Sequence, residues 1–414
     1  MSKENMKSSF SKCKLLTSAS LIFGSSLLFA SADVLPTANL SNSIPPTAPV
    51  NNKPLITPSA PTLNAKAYIL IDVNSGKIIA EKNSDQKLPP ASLTKMMTLF
   101  VISNALQNQQ IHLTDTVRIS RDAWKTGGSR MFVKEGQQVS IEDLLKGIIV
   151  DSGNDACVAM AEHLGGSEQG FSEIMNQQAQ NLGMKDSHFT DSTGLPDENH
   201  YTTAKDLAIL GRALILNFPQ YYEWYKQKWF TYNGIRQPNR NRLLWRDNQV
   251  DGIKTGHTNE AGFCLVSSAK RDNMRLLAVV MGSPTDAARA DDSERLLNYG
   301  FRFFETHQLY KAGQTISEIP IYKGAVDKLN VGLQTDQFVT IPSGQYQRLS
   351  INTKIPPNLQ APIEKGQKVG ELVVQFDNNI LSSYNLYALQ AVPKGGMFTC
   401  MKDSIRLAFR SWFG

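Results

Sequence analysis

Residues 89–107 read PPASLTKMMTLFVISNALQ. Pro89 and Pro90 stop whatever precedes them, while Leu93, Met96, Met97, Phe100 and Val101 recur at helical spacing. The pattern predicts a helix that opens directly after the proline pair. Ser92 and Lys95 stand three apart, so a helix puts both side chains on one face, a turn from each other. An amine within hydrogen-bond reach of a hydroxyl can take its proton and make it a nucleophile. Alone the spacing is weak, because it recurs at Ser9/Lys12, Ser11/Lys14, Ser84/Lys87 and Ser267/Lys270.

Working outward, residues 65–83 predict two strands around an Asn74-Ser75-Gly76 turn. Helical patterns follow at 140–164, 168–182 and 203–216. Residues 263–282 read as two strands around a polar turn, and the helical pattern of 290–307 closes this mixed region near His307. From 309 to 393 the chain holds short alternating runs such as FVTIPSG and KVGELVVQF between Gly, Pro and Asn, which predict a small all-β domain. No internal repeat is visible.

The chain has 414 residues, enough for two or three domains, and its 41% hydrophobic content excludes wholesale disorder. Half of the net charge of +6 comes from Lys3, Lys7, Lys12, Lys14 and Glu4, and the mild remainder argues against a nucleic-acid reader. That basic start precedes an apolar run over 15–30 and the small-x-small site Ala30-Ser31-Ala32. These mark 1–32 as a secretory signal peptide and place the mature protein outside the cytoplasm; an uncleaved anchor is the alternative. Residues 33–63 carry seven prolines among Ser, Thr, Asn and Ala and read as a tether. Cleavage leaves Cys157, Cys264 and Cys400, an odd number, so at least one is unpaired within the monomer; Cys157 and Cys264 read as core packing. At the far end, Phe398, Met401, Ile405, Phe409 and Trp412 recur at helical spacing beside a stripe of Lys402, Arg406 and Arg410. That suits an amphipathic helix on anionic lipid, with packing against its own protein as the alternative.

Two further motifs complete the chemistry. Ser152-Gly153-Asn154 lies between helical patterns, and Lys254-Thr255-Gly256 enters a strand through VDGIKTG, with Gly256 allowing close approach of a ligand. Each has decoys: Ser350/Asn352 and Ser383/Asn385 in the β-rich region, and Lys125-Thr126-Gly127 in a loop ahead of Ser152. The six histidines show no H-E-x-x-H spacing and no Cys cluster, so neither a zinc site nor any other metal is expected. No G-x-S-x-G supports a Ser-His-Asp triad, and His163 and His307 read as structural.

The ordered set Ser-x-x-Lys, Ser-x-Asn, Lys-Thr-Gly resembles that of the serine-acylating, penicillin-recognising enzymes. The words PPASLTKMMT, DSGNDACVAMAEHLGG, VDGIKTGHTNEAGFCLVSSA and YGFRFFET are similar to those of low-molecular-mass penicillin-binding proteins that act as D-alanyl-D-alanine carboxypeptidases. The resemblance runs from about Ala65 to the C-terminus. It implies an α/β (α+β) serine β-lactamase/transpeptidase-like catalytic domain over 64–308. A small all-β sandwich-like domain over 309–397 and an amphipathic membrane-anchoring helix over 398–414 would follow.

By the family's mechanism, Ser92 is the nucleophile, Lys95 its base and Ser152 a proton relay to the leaving D-alanine. The charge of Lys254 and burial would both lower the Lys95 pKa. Asn154 would hold Lys95 and the substrate amide. Lys254 and Thr255 would face the substrate carboxylate, with Gly256 also at the substrate site. The N–H groups of Ser92 and His257 would form the oxyanion hole, with Arg240 and Arg289 matching carboxylate-site or loop positions. The implied substrate is the peptidoglycan stem pentapeptide, with β-lactams as covalent inhibitors, no cofactor, and a periplasmic site of action on the outer face of the inner membrane. Endopeptidase or weak β-lactamase action through the same acyl-enzyme, and a non-catalytic cell-wall scaffold, are the alternatives. Gly153 replaces the acidic residue of class A β-lactamases, and residues 165–200 lack their Glu-x-x-Leu-Asn word, which counts against a dedicated β-lactamase.

Overall fold

A computed structural model describes residues 57–413. The expected signal peptide and most of the expected tether lie outside the described residues. The chain first forms a five-stranded antiparallel sheet in the order Ile78–Lys82, Ala67–Asp72, Met274–Ser283, Gly262–Arg271, Val250–Thr258. Its middle strands are buried almost without a break, because both faces are covered. Helix Asp286–Phe303 packs on one face, and Lys95–Gln107 and Ala204–Asn217 lie on the other. Strand Val250–Thr258 is left at the edge.

The stretch 89–107 divides in two. Ala91–Thr94 forms a 3-10 turn, and the α-helix runs from Lys95 to Gln107. That helix is buried nearly all round, so its apolar residues are not confined to one face; it is the axis of the domain's larger core. The pattern over 140–164 likewise breaks: helix Ile141–Lys146 widens into a π-helical turn, Gly147–Asp151, before helix Asn154–Gly165 begins.

The helical pattern predicted through His307 overruns the helix. The helix stops at Phe303, and Phe304–Tyr310 is a strand paired antiparallel with Gln337–Pro342. Phe304 and Thr306 stand two apart, as on a strand, and pairing across the chain decides where the helix ends. A second five-stranded sheet follows in the order Thr315–Pro320, Lys328–Gly332, Asn379–Ala388, Lys368–Phe376, Leu349–Lys354. It has its own small apolar clusters, one around Leu329, Leu372 and Leu386 and another around Ile341 and Val374. Buried Asp72 of the first sheet accepts a hydrogen bond from Thr306 Oγ1 at 2.9 Å and ties the two regions together. Helix Met397–Phe413 ends the described chain. Cys157, Cys264 and Cys400 are free thiols, the first two buried.

Candidate active site

Three of the predicted motifs meet at the edge strand. The 3-10 turn presents Ser92 at the start of the long helix, where the first N–H groups have no acceptor within the helix. Lys95 Nζ donates to Ser92 Oγ at 2.9 Å and to the Thr193 carbonyl at 2.6 Å. Lys95 is fully buried, yet among the described residues it is paired with no carboxylate. Across the site, Lys254 Nζ donates to Ser152 Oγ at 3.0 Å and to its neighbour's carbonyl, that of Thr255, at 3.2 Å.

Two residues beside these groups hold left-handed backbone without being glycine: Ala91 at φ 49° and Ser152 at φ 59°. Such conformations cost about 1–3 kcal/mol and persist where surrounding structure enforces them. Gly256 explains part of that enforcement. A Cβ there would lie 2.9 Å from the Pro90 carbonyl and 3.2 Å from the Leu93 nitrogen. The absence of a side chain there lets the edge strand pack closely on the turn that carries Ser92.

The loop after Trp124 clamps the middle motif. Asn154 Nδ2 donates to the Gly127 carbonyl at 2.7 Å, and the Asn154 N–H to Ser129 at the same distance. The Asp155 carboxylate accepts the N–H groups of Met131, Phe132 and Val133. The Lys125-Thr126-Gly127 decoy thus lies in the loop that fixes Asn154. The expected bond from Asn154 to Lys95 is absent: Lys95 is held by Thr193 instead, and Asn154 Oδ1 is buried without a partner.

Arg289 is buried and donates to the carbonyls of Gly256 at 3.1 Å and Cys264 at 3.4 Å, with Asp286 beside it at 2.5 Å. It braces the edge strand from the backbone side. Arg240 is exposed, and its charge reaches both lysines. The His257 side chain is also exposed and stacks on Phe263 with ring centroids 4.0 Å apart.

The electrostatics lower the pKa of both lysines. Burial is the leading cause that lowers the Lys95 pKa, opposed by Cys157 and Asp191 and assisted by Arg240. Lys254 is pushed well below the ordinary lysine range by burial, then by the charges of Lys95 and Arg240. Burial is thus the leading cause at both lysines. A neutral Lys95 can still donate one N–H to Thr193 while its lone pair accepts the Ser92 hydroxyl proton. Burial raises Cys157 to about 12, so it stays a thiol. Asp151, buried beside Ser152, is raised to about 7 by burial, against the pull of Arg240.

Sequence reasoning missed Thr193 and the loop that carries it. Asp191 is pushed up by burial, but His200 and the N–H of Gly194 outweigh this and hold it at about 2. Asp191 Oδ1 accepts the N–H groups of Thr193 and Gly194, and Thr94 Oγ1 bonds His200 at 2.9 Å. The only signal in the chain is the Asp191-x-x-Gly194 turn pattern, which says nothing of a lysine so far away in sequence.

A family profile described as D-alanyl-D-alanine carboxypeptidase matches residues 55–285, and one described as penicillin-binding protein 5, C-terminal domain, matches 304–394. The chain is 44% identical over 373 residues to the D-alanyl-D-alanine carboxypeptidase DacA of Escherichia coli (strain K12), covering 88% of this chain and 92% of the relative. Among solved structures it resembles penicillin binding protein 5 from Haemophilus influenzae, with TM-score 0.78 and 45% identity, over 82% of this chain and 100% of that one. It also resembles penicillin-binding protein D2 from Listeria monocytogenes in its ampicillin-bound form, with TM-score 0.54 and 30% identity, over 58% of this chain and 98% of that one.

Proposed function

This chain belongs to the D-alanyl-D-alanine carboxypeptidase family and is a serine-type hydrolase of that class; we propose that it removes the terminal D-alanine of peptidoglycan stem pentapeptides through an ester on Ser92. The observation that carries this reading is the 2.9 Å contact between Ser92 Oγ and a fully buried lysine amine. Lys95 takes the hydroxyl proton as Ser92 attacks the carbonyl carbon of the penultimate D-alanine. The oxyanion is held by the N–H groups of Ser92 and His257, a device in which losing one donor costs about 10²–10³ in rate. The C–N bond then breaks as the Ser152 hydroxyl relays to the leaving amine the proton that Lys95 took from Ser92, which leaves Lys95 neutral again. Water, deprotonated by Lys95, hydrolyses the ester and restores Ser92. The substrate carboxylate binds at Lys254 and Thr255, with Arg240 at the rim. Its charge offsets the burial that drives Lys254 toward neutrality. A β-lactam meets the same nucleophile, its ring amide standing in for the peptide bond.

The test is intact-mass spectrometry after incubation with benzylpenicillin, followed by an assay of D-alanine release. One penicilloyl adduct that is missing from Ser92→Ala is expected. A folded protein that forms no adduct, hydrolyses no nitrocefin and releases no D-alanine would favour the scaffold alternative.

The terminal helix supports a second part of the proposal, that the enzyme works in the periplasm with its foot on the outer face of the inner membrane. Asp403 turns inward and accepts the Lys323 N–H at 2.6 Å, so one side of the helix docks on the β domain. Met397, Phe398, Met401 and Ile405 are exposed. Lys402 and Arg406 flank them, which suits an anionic lipid surface. Among the described residues no helix is long and apolar enough to cross a membrane. Co-sedimentation with anionic vesicles should be lost in Phe398→Glu/Ile405→Glu; binding unchanged by those substitutions would refute the foot.

A further inference from the structure

A cavity of about 560 Å³ opens beside the turn that carries Ser92. Leu88, Pro90 and Ala91 wall it from the chain entering that turn, and Leu195, Pro196 and Tyr201 wall it from the loop after Gly194. Three carboxylates stand in its lining: Asp197, Glu198 and Glu260, all exposed and none in a salt bridge among the described residues. Lys87, the lysine of that lining, is already engaged, 3.6 Å from Asp186 and 4.6 Å from the Tyr201 ring centroid. The cavity is thus an apolar trough with unneutralised negative charge at its mouth.

The direction of the edge strand says which part of a substrate reaches it. In the acyl-enzyme reading above, the terminal carboxylate lies at Lys254–Thr255 and the scissile carbonyl at the amides of Ser92 and His257. A substrate laid along Val250–Thr258 in that sense continues, on the side that becomes the acyl group, toward Thr258 and Glu260, both in the cavity lining. An extended chain advances about 3.3 Å per residue. The residue that comes level with the cavity is therefore the one just before the two D-alanines, which in stem peptides is a diamino acid.

We propose that this cavity is the subsite for that residue, and that it selects a long aliphatic side chain ending in a free, positively charged amine. The methylenes lie against the apolar walls and the ammonium meets the carboxylates at the mouth. A stem whose side-chain amine is already amidated, as in a cross-link, loses that ionic contact and is the poorer substrate. The inference rests on the acyl-enzyme reading and adds a specificity to it.

The experiment measures D-alanine release by the full chain from pentapeptides that differ only at the third residue: lysine, ornithine, Nε-acetyl-lysine or norleucine. The two free amines should exceed the two neutral side chains by about fivefold in kcat/KM, mainly through KM. In Asp197→Asn/Glu198→Gln/Glu260→Gln that ratio should fall toward one. A ratio near one in the unaltered protein overturns the proposal, and so does a preference that survives the triple substitution. Benzylpenicillin, which has no such side chain, is run on the same preparations. A missing adduct on Ser92 strikes the acyl-enzyme reading itself, whereas a normal adduct without amine preference strikes only the subsite.

Discussion

The molecule contains two five-stranded antiparallel sheets that solve opposite problems. In the first, strands Gly262–Arg271 and Met274–Ser283 are buried along most of their length because helices cover both faces. In the second, Asn379–Ala388 is buried only at Leu386 and Ala388, and Leu349–Lys354 only at Leu349. The difference bears on the two lysines of the site. Burial is the leading cause that lowers the pKa of both Lys95 and Lys254, with the charge of Arg240 adding to it, and both are buried in the first region. Lysines of the second sheet stay in water; Lys368, for instance, is exposed and paired with Glu371 at 3.2 Å.

The sharpest test removes the base without disturbing the layer. Lys95→Met keeps volume and burial, and acylation by benzylpenicillin should slow at least about 10³-fold. Stability, followed by urea unfolding, should change by no more than about 1–2 kcal/mol, since the substitution mainly strips the Thr193 carbonyl of its donor. A near-normal acylation rate would break the comparison at its root. Next comes Gly194→Ala. Gly194 has φ +81°, and a Cβ there would lie 1.8 Å from the Ala91 carbonyl, beside the nucleophile. A loss of about 3 kcal/mol or more, with slower acylation, is expected from urea unfolding and adduct kinetics.

Leu372→Ala probes the second region. Its fully buried side chain belongs to the β-domain cluster, so about 2–4 kcal/mol should be lost. The kcat/KM of the folded protein should hold within about twofold, because that cluster lies apart from the one that carries the site. A tenfold slower enzyme would mean that the two regions are coupled.

Arg240→Gln sharpens the electrostatic half of the contrast. Arg240 lowers the pKa of both lysines. The base works deprotonated, so acylation rises with pH through its pKa. Removing the guanidinium raises that pKa and should move the acid limb of the profile to higher pH. A limb that stays put would assign the lowering to burial alone. The smallest effect is expected for Asn352→Ala, the S-x-N decoy on an exposed position of strand Leu349–Lys354. Its stability should stay within about 0.5 kcal/mol, with activity unaltered.

Much of the site was legible because its signals are local. A proline pair, a Ser and a Lys one turn apart, and a Lys-Thr-Gly entering a strand are properties of a few consecutive residues, and the structure brings all three motifs to one edge. The end of the helix at Phe303 was not legible, since pairing of the next residues with Gln337–Pro342 decides it. Nor was the role of Gly256, whose constraint is the turn at Pro90–Leu93 packed against it.

The chain by itself determined which groups are available, their order, and the amphipathic tail. Tertiary structure alone decided which partner each group takes. Lys95 finds the Thr193 carbonyl 98 residues away, and Lys254 finds Ser152 across 102. The Lys125-Thr126-Gly127 decoy becomes part of the clamp on Asn154. Ala91 and Ser152 are held in left-handed backbone that no local preference would select. The physical reason is one of range. Period and turn chemistry act over a few residues, whereas desolvation and partner choice depend on what the folded layers press against a side chain from elsewhere in the chain.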